Sequence, residues 1–150
     1  MSDREEIHST LQEARKELLA AIDGLTPQQM TTPVYDDWSV KDILTHIVSW
    51  EEIAMPDFRR VARGHLPALA SFKEPEVDKW NAMLMSLRRS FPLDQVMYEL
   101  EASRKATMVV LDSLPDERLV PFVRMWADVA ARHDREHAQD IRQWREKEGI

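Results

Sequence analysis

The sequence contains no cysteine. That absence removes disulfide frameworks, zinc–thiolate sites, iron–sulfur clusters and cysteine nucleophiles together, and it suits a reducing compartment. Glycine is almost as scarce, and the three present, Gly24, Gly64 and Gly149, stand far apart. Phosphate cradles of the Rossmann and P-loop kind need clustered glycines so that the backbone can approach the phosphates, so a nucleotide-binding α/β fold is disfavoured. No apolar run approaches the roughly 20 residues that span a bilayer. The opening MSDREEIHST has no apolar signal-peptide core, and a soluble cytoplasmic protein without a membrane partner is expected. The strict alternation of a half-buried strand is missing throughout, which predicts a domain with no sheet. Asp and Glu (27) outnumber Lys and Arg (20), for a formal charge of −7. A mixed, moderately acidic surface argues against a nucleic-acid partner.

What is present is helical periodicity along 150 residues, a length that fits one domain, 1–150. Ile7, Leu11, Leu18, Ala21 and Ile22 mark a first helix from Asp3 to about Asp23, stopped by Gly24. Thr26-Pro27 opens one short turn, and Met30 to Trp38 reads as a loop broken by Pro33 and Asp36-Asp37. Ser39 with Asp42 forms a capping-box variant for a second helix through Ile43, His46, Ile47, Trp50, Ile53 and Ala54. Pro56 should kink or interrupt that helix, and Gly64 ends it. After a loop from His65 to Glu74, Pro75 suits the first position of a short helix reaching about Ser90. Pro92 marks a break, Leu93 to Ser113 forms the next helix, and Pro115 ends it. The last helix spans Pro121 to about Lys147. The expected class is all-α: a four-helix bundle with an extra short helix and two longer connections.

His133 and His137 are four residues apart, which places both imidazoles on one helix face. They lie between Trp126 and Trp144 on a face that should turn inward. The order H-D-R-E-H lacks the Glu that zinc proteases carry directly after the first His, so a protease is a poor reading. His46 shares a face of the second helix with Ile43, Trp50 and Ile53. Bundles build core metal sites from such facing positions. Buried imidazoles need partners: either the three bind a divalent transition ion such as Zn, Ni or Fe, with open coordination positions, or they hydrogen-bond to one another in the core. His8 and His65 read as solvated.

Other features read as structural. Trp50, Trp80, Trp126 and Trp144 are core or interface residues first, Trp38 can staple the start of the second helix, and the eight methionines fill core space. Glu51, Glu52, Asp134 and Glu136 read as solvated helix charges, and no paired buried carboxylates stand out. Asp140, one turn beyond His137, can orient that ring. Trp50 and Trp126 can line a pocket. No residue is singled out as catalytic.

The stretch W-S-V-K-D-I-L-T-H-I-V-S-W-E, Trp38 to Glu51, resembles the signature segment of the DinB-like superfamily. The run H-D-R-E-H-A-Q-D-I-R-Q-W-R, His133 to Arg145, resembles its C-terminal signature, and the order of the motifs agrees. The middle, with Trp80-Asn81 before F-P-L-D-Q, is similar to the branch of the colibactin self-resistance proteins. The resemblance covers essentially the whole chain. It implies an up-down-down-up bundle, a homodimer, and a metal site at His46, His133 and His137. Family activities include thiol-dependent transfer or isomerisation with bacillithiol, mycothiol or glutathione, and, in the closer branch, hydrolytic opening of a reactive cyclopropane. Two functions follow. One is a metal-dependent enzyme acting on a small electrophilic molecule, as a hydrolase or with a low-molecular-weight thiol. The other is a non-enzymatic protein of stress resistance that sequesters a small molecule.

Overall fold

The computed structural model describes residues 2–119 and 121–150. Helix α1 (Asp3–Ile22) is followed by the single turn α2 (Pro27–Met30), a hairpin of β1 (Pro33–Tyr35) and β2 (Trp38–Ser39), and the long α3 (Val40–Ala62). Then come α4 (Glu74–Arg88), α5 (Leu93–Ser113) and α6 (Pro121–Glu148). Local signals set these limits. Ser2, Thr26 and Ser39 each cap a helix reciprocally with the residue three places on, Glu5, Gln29 and Asp42. Gly64 follows α3 with φ +75°, a left-handed conformation that suits glycine.

End-to-end contacts fix the helix directions. Arg124, early in α6, meets Asp3 and Glu6 at the start of α1, and Arg145, late in α6, donates to the carbonyls of Ala21 and Asp23 at its end. Hence α1 and α6 are parallel. Lys41, opening α3, donates to the carbonyls of Arg89 and Phe91 just before α5, so α3 and α5 also run alongside each other in one direction. A short link from α1 to α3 reverses the chain. The bundle is therefore up-down-down-up, and α4 is the return path that lets two successive long helices point the same way.

One expectation fails here, and of the kink or interruption expected at Pro56 the interruption is absent. Residues 33–39 form a small antiparallel ribbon, irregular between Pro33 and Tyr35, rather than a plain loop. At three and two residues, its strands are too short to show a period. Pro56 does not interrupt α3, which continues to Ala62. Proline frees the carbonyl four residues back, and Pro56 lies on the exposed side of the helix, where water can take that role.

The core falls into two apolar clusters. One gathers Leu18, Ile43, Ile47, Val96, Leu100, Ile141 and Trp144. The other gathers Leu11, Phe58, Leu111, Val123 and Ala127. Between them every long helix contributes a polar residue: Arg15, Glu51, Arg104 and Asp134.

Candidate metal centre

His46 sits in the second turn of α3, and His133 and His137 occupy successive turns of α6. The contact between helices brings the three rings together. His133 Nε2 is 2.8 Å from His46 Nε2 and 3.0 Å from His137 Nε2. One ligand atom from each residue lies within 4.8 Å of the others, so the group could hold a metal ion. A ring nitrogen offers one in-plane site, either a proton or a lone pair. His133 Nε2 thus serves one neighbour well and not both. Imidazoles bound at about 2.0–2.1 Å to a shared ion stand roughly 3 Å apart, so the donor set suits one.

Burial, then the neighbouring rings, pushes the His46 pKa down to about 3. His133 also falls to about 3, through burial, His137 and the Arg15 guanidinium. Burial lowers His137 as well, opposed by Asp140. The rings are neutral at pH 7, with lone pairs free to ligate. His137 Nδ1 is buried without a hydrogen bond. Asp140 Oδ2, the expected orienting group, stands 3.5 Å from it, beyond a well-formed bond.

One side of the triad is covered by the hairpin that sequence reading missed. Trp38 packs edge-on to His46 with ring centroids 5.2 Å apart, and Tyr35 stacks on Trp38. Burial, with Asp140 and Asp36 nearby, raises the Tyr35 phenol to about 12. On another side, His46 and His133 border a pocket of about 360 Å³. Its wall is mainly apolar, with Trp50, Trp126, Phe122, Val77 and Leu69 prominent. Trp50 is fixed there by its indole N–H, which donates to Asn81 Oδ1 at 2.6 Å. Asp57, fully buried, accepts from the backbone N–H groups of Ala68 and Leu69 and so holds the loop segment on the wall.

Glu51 and Asp134 are not solvated: they are 3% and 1% exposed. Arg15 donates to both carboxylates, as does Arg104, and Ser103 Oγ donates to Glu51 Oε2 at 2.9 Å. Two buried carboxylates are therefore paired through two guanidinium groups, against the expectation that none stood out. A signal existed. Arg15 lies on the α1 face of Leu11 and Leu18, and Arg104 on the α5 face of Leu100, Thr107 and Leu111. A charge in an apolar stripe demands a buried partner. Glu52 pairs with Arg88 at the edge of the bundle, and Glu136 is exposed. His8 takes no part in the centre; it bonds Asp112 at 2.6 Å near the surface, and His65 is exposed.

Residues 10–141 match the model of the DinB superfamily. The chain belongs to the DinB superfamily. This DinB protein superposes on Sibling Lethal Factor Precursor, DfsB, with a TM-score of 0.81 at 15% identity, over 99% of this chain and 98% of that one. It superposes equally on an uncharacterised protein from Escherichia coli UTI89, with a TM-score of 0.83 at 13% identity, over 100% and 96% of the two chains. At such identities the likeness is one of fold. No curated protein matches the sequence. Among the described residues no helix is long and apolar enough to cross a membrane.

Proposed function

We propose that this DinB protein is a metal-dependent enzyme acting on a small electrophilic molecule, with His46, His133 and His137 as the ligands of one divalent transition ion. The observation that carries the reading is the convergence of three neutral Nε2 atoms at the border of a pocket. When bound, an ion of this kind supplies Lewis acidity, lowering the pKa of a water or a thiol into the neutral range. The protein's own residues do the rest. Trp38 shields the triad on one side, while His46 and His133 face the pocket. Trp50 and Trp126 give that pocket flat apolar surfaces that bind a ligand and exclude water. Asp140 is the group placed to accept from His137 Nδ1 after a small rotation, fixing the ring with Nε2 free. The cytoplasmic setting, the homodimer and a role in stress resistance belong to the same proposal.

Metal analysis of untagged protein tests it. One Zn, Ni or Fe per chain is expected in the wild type and none in His133→Ala. A wild type that never reaches stoichiometric metal overturns the reading. Turnover of electrophilic probes with and without low-molecular-weight thiols then separates hydrolysis from thiol transfer. A loaded protein that binds probes without converting them is the sequestering alternative.

A further inference from the structure

The charges along the pocket are matched. Arg15 and Arg104 hold Glu51 and Asp134 beneath it, and at the mouth Arg132 and Glu136 lie 3.9 Å apart on one face of α6. Away from an ion at the triad, a charged ligand drawn into this space would find the nearby protein charges already paired, and a buried charge without a counter-ion is strongly disfavoured. Outside the triad the polar side chains are similarly engaged, except for the Trp126 indole N–H, which has no hydrogen-bond partner among the described residues, and the amide of Asn81. An indole nitrogen only donates, so the 2.6 Å contact from Trp50 Nε1 settles which end of the Asn81 amide is oxygen. The NH2 end points away from Trp50. It has no hydrogen-bond partner among the described residues, and Asn81 is part of the pocket wall. The result is a pre-oriented pair of N–H donors in a largely apolar site that His46 and His133 also border.

We propose that Asn81 binds the substrate and selects an uncharged, flat, apolar molecule bearing a hydrogen-bond-accepting carbonyl, an amide or a ketone. The indole faces of Trp50 and Trp126 suit a planar body, and about 360 Å³ lies at the small end of small-molecule sites. The inference rests on the metal-enzyme reading for what happens at the reacting end, and it sharpens that reading. The free N–H donors of Asn81 match a neutral carbonyl acceptor, so hydrolysis of a neutral carbonyl compound is the version of that reading they favour. Asn81 also couples the donor to the wall, because the atom that fixes Trp50 belongs to the same amide.

Equilibrium dialysis of three probes tests this on the full chain, once after chelation and once after reloading with zinc. The probes are naphthalene-2-carboxamide, naphthalene-2-carboxylate and 2-ethylnaphthalene. In the chelated wild type the carboxamide should bind more tightly than the carboxylate. The affinity ratio of carboxamide to 2-ethylnaphthalene should fall about tenfold in Asn81→Ala, the effect of one hydrogen bond. Asn81→Asp keeps an acceptor for Trp50 Nε1 while removing both donors, and should lose the same ratio. An unchanged ratio in both variants overturns the proposal. So does a carboxylate that binds the chelated protein as tightly as the amide, or an amide that does not bind at millimolar concentration. Zinc stoichiometry is measured on the same samples. Missing zinc with the ratio intact indicts the metal centre alone, whereas full zinc with no ratio change indicts Asn81 alone.

Discussion

The charged layer and the histidine triad adjoin in one core, linked through the peptide bond between His133 and Asp134, yet they answer burial in opposite ways. In the layer, two guanidinium groups meet two carboxylates, with Ser103 and the carbonyls of Leu11 and Leu100 taking further bonds. Each helix contributes a side chain and each charge is compensated. In the triad, desolvation is met by giving up charge: the rings stay neutral, and their lone pairs converge without enough protons to satisfy them. A satisfied polar cluster fixes which helices pack together and in what register. An unsatisfied one keeps binding capacity in reserve. The contrast explains how a bundle can keep a group able to hold a metal ion without loosening, since the helices are tied by different residues, one position away in the case of Asp134.

The largest break in that comparison comes from removing one charge of the layer. Glu51→Ala leaves Arg15 and Arg104 sharing Asp134, a net buried positive charge. Urea unfolding should show a loss of about 3–5 kcal/mol, with Glu51→Gln less affected. A loss below about 1 kcal/mol would mean that water already reaches the layer.

Acid probes the triad next. His46 and His133 have folded pKa values lowered to about 3, against about 6.5 in the unfolded chain. Protons therefore bind the unfolded state first. The stabilising effect of neutral rings is fully present above pH 6.5 and is lost as pH falls from there towards 3. At pH 5 the loss is about 2 kcal/mol per histidine. Urea midpoints of chelated protein at pH 7 and pH 5 measure it, and subtracting the same change in a His46→Asn, His133→Asn double variant removes other titrating groups. An equal pH response in the two proteins would show that the rings titrate normally.

His8→Ala gives the smallest effect and serves as the control. Its bond to Asp112 is partly open to water, so stability should change by less than about 1 kcal/mol, with metal content unaltered. A change in metal content would place His8 in the centre after all.

Much of the architecture could be read before any coordinates, because it is written in local chemistry. The Ser39–Asp42 box, Pro75, Gly64 and Pro92 mark boundaries that the structure keeps. His133 and His137 advertise a shared face by spacing alone. His46 needed the inference that its face meets theirs, and it does. The hairpin over the triad was invisible, since strands of three and two residues are too short to show a period. Glu51 and Asp134 were misread for a different reason. A carboxylate on a helix looks the same in sequence whether it faces water or an arginine on another helix. The clue lay in Arg15 and Arg104, set at positions where their own helices call for leucine. Asn81 was visible only as part of the Trp80-Asn81 motif, and its bond to Trp50, 31 residues earlier in the chain, could not be read from sequence.

The parallel pairing of α1 with α6 also has a consequence in time. His46 and His133 are 87 residues apart, and at synthesis rates of 5–20 residues per second the second ring emerges roughly 4 to 17 seconds after the first. Until then α1 has no α6 to lie against, and Arg15 has no Asp134. A ribosome-bound chain can wind its helices early, but it cannot build the ligand set. Any ion that the three rings hold together can therefore be enclosed only after the last helix has emerged and met α3.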